Sequence, residues 1–309
     1  MSDPQTHQQV ILLLAGNKGL AALEAAVSSK YLPMISAVIT ARDPAIADDG
    51  HDAILACAAR AGIHCTTDRQ RHTLPTDAWH IAIGWRRLIS DVSYGRLVVA
   101  HDSPLPRFRG FAPLVNMLVE GETELAVTYF VASDGSYDDG TILEQETVGI
   151  SYPITIAQAI ERICPLYAIG LLKVLDRIAL GGPLEGRCQD PATATYSLWL
   201  DDEDYLVDLR WSAQRIARFV DAVGPPYRGA QVLIDGVPHL ISGAAAEEQD
   251  LVIADRPRHI GKVMAVRCGL PVVVCGSGQL RISGLTRVQD GAAGLPLGSF
   301  RLRFTGRRT

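Results

Sequence analysis

The sequence predicts an α/β protein, with a parallel sheet flanked by helices in the first part of the chain and a smaller all-β domain after it. Two observations carry this prediction. Short apolar, β-branched runs alternate with stretches of helical periodicity over roughly the first half of the chain. From Thr195 onward the pattern changes to short strands separated by Asp-Gly, Cys-Gly and Ser-Gly turns, which is typical of a small β-barrel or sandwich.

The elements of the first part follow from their apolar patterns. The continuous apolar run Val10 to Ala15 predicts a buried strand that leads through a glycine turn into a helix. A long helix over 154–180 ends at Gly181-Gly182-Pro183, a strong stop signal. The remaining predictions are strands over 34–40, 79–84, 97–100, 126–132 and 141–148, and helices over 20–29, 53–61 and 114–119.

The glycines after the first strand raise the question of dinucleotide binding. The pattern is Gly16-Asn17-Lys18-Gly19 rather than G-x-G-x-x-G, and no acidic residue ends the second strand at Thr40, although Asp43 follows closely. A tight strand-to-helix turn explains these glycines better than a nicotinamide site does.

In the second part, a helix over 213–223 ends at Gly224-Pro225-Pro226. Strands are predicted over 231–234, 238–241, 262–267, 270–275 and 279–282, with Asp235-Gly236 as a turn. We place a linker at 181–191 and therefore expect one domain over 1–190 and a second over 191–309.

Composition and charge exclude several classes of protein. The chain has 309 residues, 48% hydrophobic and 20% charged, which argues against disorder and against a fibre. A net charge of −5 argues against a protein that coats nucleic acid. The first apolar run is too short to span a membrane and no basic segment precedes it, so we expect an unexported, cytoplasmic protein. The six cysteines form no C-x-x-C pair or zinc spacing, so we expect reduced thiols and no metal.

The segment 98–113 carries the strongest chemical signal. A buried strand delivers His101 to its C-terminal end, the edge at which open parallel sheets bind ligands. A Ser-Pro-Leu-Pro loop and two arginines, Arg107 and Arg109, follow. A histidine at that edge can act as a general base near neutral pH, although a lone histidine after a strand is more often structural.

A polar loop over 133–141 supplies a second element. Asp138 or Asp139 is placed to face His101, where a carboxylate would fix the tautomer of the imidazole and favour its charged form. The alternative is a solvated turn whose side chains bond to the backbone, which accounts well for Asp134 and Asp139.

These segments resemble the folate-dependent formyltransferases, a family that includes methionyl-tRNA formyltransferase and the sugar-nucleotide N-formyltransferases. The family signature is N-x-H-x-S-L-L-P-x-x-R-G-x-x-P, followed further along the chain by L-D-x-G. The matching positions are His101, Ser103, Leu105, Pro106, Arg109, Gly110, Pro113, residues 121–124, Val127-Thr128 and Tyr137-Asp138-Asp139-Gly140. The loop 83–89 is similar to the folate-pocket loop of the sugar enzymes, and Trp211 with residues 224–230 resembles the start of the family's C-terminal domain.

The resemblance implies a Rossmann-like N-terminal formyltransferase domain, an OB-like C-terminal barrel and formyl transfer from N10-formyltetrahydrofolate to a primary amine. It also implies that His101 polarises the formyl oxygen or moves the proton, and that Asp138 orients and charges the imidazole. The implied folate contacts are Ile83, Gly84, Trp85, Arg86, Leu88, Tyr137 and Asp138. Trp85 is explained equally well as a core aromatic residue.

One position departs from the family pattern. Val99 stands where the family has an asparagine, two residues before the histidine, and its side chain offers no donor to a developing oxyanion. Loss of such a donor typically costs about a hundredfold to a thousandfold in rate. Three explanations remain open: another donor such as a backbone N–H, an unusually reactive acceptor, or a homologue that binds folate without transferring the formyl group.

The expected acceptor is a small amine. The tRNA enzymes carry a basic insertion after the second strand, whereas residues 41–50 are acidic on balance, which makes tRNA a poor candidate. An amino sugar nucleotide leads. The His-Asp-Ser form of the motif resembles that of formyltransferases of siderophore and natural-product synthesis, and this resemblance implies an N-hydroxyornithine-type amine as the alternative. Ser103, Arg107 and Arg109 are the expected substrate contacts, although Arg109 is equally suited to brace the loop by pairing with a carboxylate. A homo-oligomer is left open.

Overall fold

The computed structural model describes residues 8–43, 49–67, 75, 77–87, 89, 92–134 and 137–307. The chain divides into two compact units. The first comprises Met1–Pro113, Glu124–Ile150 and Gln158–Ser197. The second comprises Leu114–Thr123, Ser151–Ala157 and Leu198–Thr309.

In the described residues of the first unit, seven strands form one sheet in the order β3-β2-β1-β4-β5-β7-β8. The strands are β1 Val10–Leu14, β2 Ile35–Thr40, β3 His64–Thr67, β4 Trp79–Ile83, β5 Leu97–His101, β7 Glu124–Val131 and β8 Thr141–Gly149. The five strands β1, β2, β3, β4 and β5 run parallel, as expected. Strands β7 and β8 are antiparallel to their neighbours in the sheet. The short connection from β7 to β8 imposes the antiparallel pairing of these two strands, because parallel neighbours need a long crossover. The sheet is therefore mixed rather than wholly parallel.

All five residues of β1 are buried, as a central strand covered on both faces requires. Its apolar run was therefore a reliable signal. Strand β3 escaped the sequence analysis because it has four residues and buries only Thr66. The α-helices in the described residues are α1 Gly16–Val27, α2 His51–Arg60, α3 Pro113–Glu120, α4 Ile156–Leu180, α5 Ala213–Ala222 and α6 Arg256–His259. Among the described residues, no helix combines the length and the apolar composition that a membrane span requires.

Within the described part of the second unit, six strands form an antiparallel sheet in the order β12-β13-β14-β11-β10-β15. They are β10 Ala230–Ile234, β11 Val237–Ala246, β12 Val263–Arg267, β13 Leu270–Val274, β14 Gln279–Arg287 and β15 Phe304–Thr305. Backbone hydrogen bonds from the Val263 N–H to the Leu302 carbonyl and from the Phe304 N–H to the Gly261 carbonyl join the region of β12 to that of β15, the two edge strands of the sheet. The sheet thus curls into a half-barrel, and of the two architectures that the turn pattern left open, barrel or sandwich, it is the barrel-like one that forms.

The segment expected to be a linker, residues 181–191, packs on the first unit instead. Arg187 and Ile142 exchange two backbone hydrogen bonds of 2.8 and 2.9 Å. Further along, β9 (Tyr196–Ser197) pairs in parallel with β6 (Arg109–Gly110), the two-residue strand that follows the Ser-Pro-Leu-Pro loop. The expectation of a linker here is therefore wrong, and the chain leaves the first unit only after Ser197.

Candidate active site

His101 is the last residue of β5, at the carboxyl edge of the parallel part of the sheet. The ring is 8% exposed, and its Nε2 lies 2.8 Å from the carbonyl oxygen of Phe108. Because a carbonyl oxygen can only accept, the hydrogen of this bond belongs to Nε2. The other ring nitrogen, Nδ1, lies 3.6 Å from Oδ2 of Asp138. The backbone of Phe108 therefore sets the orientation of the ring, and Asp138 supplies the charge beside it.

Asp138 reaches this position from the loop between β7 and β8. Its backbone is in the left-handed region with a φ of 55°, and its Oδ2 accepts a hydrogen bond of 2.8 Å from the Gly110 N–H. Asp139 turns elsewhere and accepts a hydrogen bond from the Ser133 hydroxyl. Of the two candidate carboxylates, the structure brings Asp138 to the imidazole and leaves Asp139 in the solvated turn.

The loop after His101 is anchored by two polar side chains: the buried Thr128, which belongs to the family-like segments, and the partly buried Gln145, which the sequence analysis did not single out. Thr128 donates from Oγ1 to the Ser103 carbonyl over 2.6 Å, and Gln145 donates from Nε2 to Thr128 Oγ1 and to the Leu105 carbonyl. Ser103, an expected substrate contact, is 0% exposed and its hydroxyl donates to the Arg107 carbonyl over 2.7 Å. The hydroxyl therefore closes the turn and is shielded from solvent, and the expected role of Ser103 as a substrate contact stays a prediction.

The two arginines of the loop differ in their surroundings. Arg109 is 4% exposed, and its Nε and Nη2 donate to Oε1 of Gln189 over 3.0 and 2.8 Å. Its Nη1 donates to the Tyr196 hydroxyl over 3.3 Å. This geometry favours the bracing role for Arg109, with an amide in place of the expected carboxylate. Arg107 is exposed, with its guanidinium 5.3 Å from the Phe108 ring centre, and is the arginine better placed to meet a ligand.

The expected folate loop begins at the end of β4, next to β5, because Ile83 is paired with Ala100. Ile83 is fully buried. Gly84 has a φ of 64°, and a Cβ there would lie 2.5 Å from the Ala15 carbonyl oxygen, so only glycine fits. The backbone of this loop therefore turns tightly against the end of β1.

The side chains of the loop are distributed unevenly. Trp85 packs against the core, yet its Nε1 is buried without a hydrogen-bond acceptor among the described residues. Arg86 forms an ion pair of 3.1 Å with Asp43. Leu88 lies outside the described residues. Tyr137 is 63% exposed, with its ring centre 5.8 Å from that of Phe111. The unmet Trp85 N–H is the kind of buried donor that a bound ligand satisfies.

Val99 lies two residues before His101 on β5, and alternate strand residues share one face of the sheet. It is partly buried and packs against the apolar cluster of Leu105, Phe130 and Ile142. The side chain at this position is thus a hydrocarbon with hydrocarbon neighbours.

Helix α1 is tied to the residue that follows His101. Lys18 forms an ion pair with Asp102, and both side chains are mostly shielded from solvent. Cys164 lies near this pair, and burial raises the pKa of its thiol to about 11, which disfavours the reactive thiolate. No group of His, Cys, Asp and Glu side chains within the described ranges is arranged to hold a metal ion.

Comparison with known proteins gives consistent relatives. The family described as "Formyl transferase, C-terminal domain" matches residues 200–292. The methionyl-tRNA formyltransferase of Geobacter metallireducens is 33% identical over 186 residues, which cover 60% of this chain and 56% of that protein. The chain thus spans less than two thirds of the length of the curated relatives it matches.

Two solved structures resemble nearly the whole chain. A sugar 3N-formyl transferase, WlaRD, solved in the presence of dTDP and 5-N-formyl-THF, has a TM-score of 0.66 at 15% identity over 92% of this chain and 99% of its own. The N-formyltransferase of Helicobacter canadensis, in complex with folinic acid and dTDP-3-aminofucose, has a TM-score of 0.65 at 16% identity over 89% and 98%. At these identities the likeness establishes the fold: a Rossmann-like first domain and a curled antiparallel half-barrel.

Proposed function

Because the chain belongs to the folate-dependent formyltransferase family, we propose that it transfers a formyl group from N10-formyltetrahydrofolate to a primary amine of a small biosynthetic substrate such as an amino sugar nucleotide. The observation that carries the proposal is the juxtaposition of His101 and Asp138, 3.6 Å apart at the carboxyl edge of the sheet. A histidine with a partly buried carboxylate at that edge is suited to proton transfer near neutral pH.

The reaction forms an amide bond between the formyl carbon and the acceptor nitrogen, breaks the bond from that carbon to N10, and moves one proton from the amine to N10. In this chain the proton from the amine goes to His101 Nδ1, since Nε2 already donates to the Phe108 carbonyl. The Asp138 carboxylate beside Nδ1 stabilises the imidazolium that results. Such positioned acid–base groups contribute about a hundredfold to ten-thousandfold in rate.

The loop after β4 fits the flat, polar-edged ring system of a folate. The buried Trp85 Nε1 lacks an acceptor among the described residues, and Gly84 lets the backbone turn closely there without a side chain. We assign Ile83, Gly84, Trp85 and Arg86 to the ring system, and Tyr137 and Asp138 to the end that carries the formyl group. When bound, the folate supplies an activated formyl group.

Three observations support a small acceptor. The net charge of −5 disfavours a polyanion. The exposed Arg107 suits a single phosphate or carboxylate. The solved relatives that match at 98 to 99% of their own length are sugar N-formyltransferases, whereas the matched methionyl-tRNA formyltransferases extend well beyond the matched region. An N-hydroxyornithine-type amine is the alternative acceptor.

Val99 favours one second candidate function, a homologue that binds folate and transfers formyl groups weakly. The hydrocarbon side chain and its apolar neighbours leave no side-chain donor at this position for the developing oxyanion. We rank this below transfer because a backbone N–H is able to fill the same role.

The test is a transfer assay with ¹³C-formyl-labelled N10-formyltetrahydrofolate and three acceptors: a dTDP-linked amino sugar, N-hydroxyornithine and methionyl initiator tRNA. We expect a labelled formamide on the sugar, with kcat/KM at least about tenfold above the other two acceptors. Label on the tRNA alone would replace the proposed acceptor. Folate binding without label on any acceptor would support the binding homologue.

A further inference from the structure

Gln189 makes four hydrogen bonds to described residues on two different loops. Its Oε1 accepts from Nε and Nη2 of Arg109, over 3.0 and 2.8 Å. Its Nε2 donates to the carbonyl oxygens of Asp138 and Gly140, over 2.7 and 2.8 Å. One side-chain amide thus uses its acceptor on the loop that follows His101 and its two donors on the loop that carries Asp138.

These contacts close a ring around Asp138. Its carboxylate accepts from the Gly110 N–H over 2.8 Å, and Gly110 is the next residue after Arg109. Its carbonyl is held by Gln189, which in turn is held by Arg109. Asp138 is therefore fixed at its side chain by Gly110 and at its backbone by Gln189, which the adjacent Arg109 holds in turn.

Asp138 needs such support because of its backbone conformation. A φ of 55° is uncommon for any residue other than glycine and persists where the surroundings hold it. Gly140 is equally confined, since a Cβ there would lie 1.8 Å from the Val131 carbonyl oxygen. The bonds from Gln189 to both carbonyls hold this turn in the form that directs the carboxylate at His101.

We infer that Gln189 is a positioning residue, which acts on the proton transfer by fixing Asp138 against Nδ1 of His101. This inference rests on the proposed function for its kinetic consequence, although the positioning itself is a property of the folded chain. An amide is required, because it supplies an acceptor to Arg109 and donors to the two carbonyls at once.

Two substitutions of Gln189 separate its positioning of Asp138 from its bracing of Arg109. Gln189→Glu keeps an acceptor for Arg109 and loses both donors to the Asp138 loop. Gln189→Met loses the acceptor and the donors together. Cys188→Ser, a change at the exposed neighbouring residue, is the matched control. We expect both Gln189 variants to lower kcat by about tenfold to a hundredfold, with KM for the folate within about threefold and the control unchanged.

The role through Asp138 is tested in a second background. In Asp138→Asn protein, Gln189→Glu should cause no further loss of kcat, because its effect passes through the missing carboxylate. A Gln189→Glu variant with wild-type kcat would overturn the inference, since it would reduce Gln189 to a brace for Arg109. Losses that multiply in the double variant would overturn it as well.

Hydrogen exchange of the Gly110 amide tests the positioning without any turnover. We expect this amide to exchange at least about tenfold faster in Gln189→Glu than in the wild type or in Cys188→Ser. Unchanged exchange would contradict the inference even if formyl transfer is confirmed. Faster exchange in a protein that transfers no formyl group would refute the proposed function and leave the positioning of Asp138 intact.

Discussion

Nε2 of His101 donates to the carbonyl oxygen of Phe108, and this single contact decides which ring nitrogen is left for chemistry. Phe108 has a φ of 58°, so the turn after the Ser-Pro-Leu-Pro loop directs its carbonyl back at the ring. Nδ1 is then the nitrogen beside Asp138. The account therefore places the transferred proton between Nδ1 and the Asp138 carboxylate.

The two arginines of the active-site loop should respond differently to substitution. Arg109→Met leaves the partly buried amide oxygen of Gln189 without its two donors, so we expect a loss of about 1–3 kcal/mol in the free energy of unfolding, measured by urea titration. Arg107→Gln should leave stability unchanged and raise KM for an anionic acceptor by about threefold to tenfold, less so at high salt. A KM effect confined to the Arg109 variant would reverse this assignment.

Trp85 should contribute a hydrogen bond to the folate. Trp85→Phe removes the indole N–H, so we expect the Kd for folinic acid to rise about threefold to tenfold in isothermal titration calorimetry. Trp199→Phe, at a tryptophan that is 63% exposed, is the control and should leave Kd unchanged. If Trp85 is only a core aromatic residue, the two variants will bind alike.

Val99→Asn tests the departure from the family pattern. The apolar neighbours of Val99 offer an amide no partner, so we expect a loss of about 1–3 kcal/mol in stability and no gain in kcat. Val99→Thr, which is close in shape and also polar, is the comparison. A rise in kcat of about tenfold or more in Val99→Asn would show instead that the oxyanion lacks a donor in the native chain.

Asp221, on α5 in the second unit, should make stability depend on pH. Burial raises the pKa of this carboxyl to about 6, so the folded state favours its neutral form. Well below the ordinary aspartate pKa of 3.8 the group is neutral in both states, and as the pH rises from there through 6 the folded state loses stability because a partly buried carboxyl ionises. Asp221→Asn should therefore raise the free energy of unfolding at pH 8 by roughly 1–2 kcal/mol, once solvent screening is allowed for, and leave it unchanged at about pH 3.

The control for this pH effect is Asp290→Asn. Hydrogen bonding to the Ala292 N–H lowers the pKa of the exposed Asp290 carboxyl, so the sign is opposite and its removal should not stabilise the protein at pH 8. Urea titrations at the two pH values measure both variants. Equal stability of Asp221→Asn and the wild type at pH 8 would contradict the burial of this carboxyl.

The sequence predicts the elements that are long or wholly apolar. Strands such as β1 and the helix α4 are recognisable because burial on both faces, or along a helical stripe, imposes a pattern on adjacent residues. Strand β3 is too short for such a pattern, and strand direction depends on connections rather than on composition. The division at 1–190 and 191–309 and the cytoplasmic location stay predictions.

The sequence predicts site residues only where they belong to a recognisable motif. The sequence offers Asp138 or Asp139 as the partner of His101 and the structure brings Asp138 to it, whereas the Phe108 carbonyl has no side-chain signal at all. Gln189 lies outside any periodic element, in a segment that composition marked as a linker. Ser103 and Arg109 carry polar groups typical of binding sites, and only the structure shows that both are buried and hydrogen-bonded within the protein.

The central claim is that the His101–Asp138 pair carries the proton in formyl transfer. Single-turnover transfer of a ¹³C-labelled formyl group to the amino sugar nucleotide tests it most directly, in the wild type, His101→Ala, Asp138→Asn and the control Asp139→Asn. The account predicts a rate at least about a hundredfold lower in the first two variants and unchanged in the control, with His101→Ala folded and able to bind folinic acid. A rate near that of the wild type in His101→Ala would contradict it.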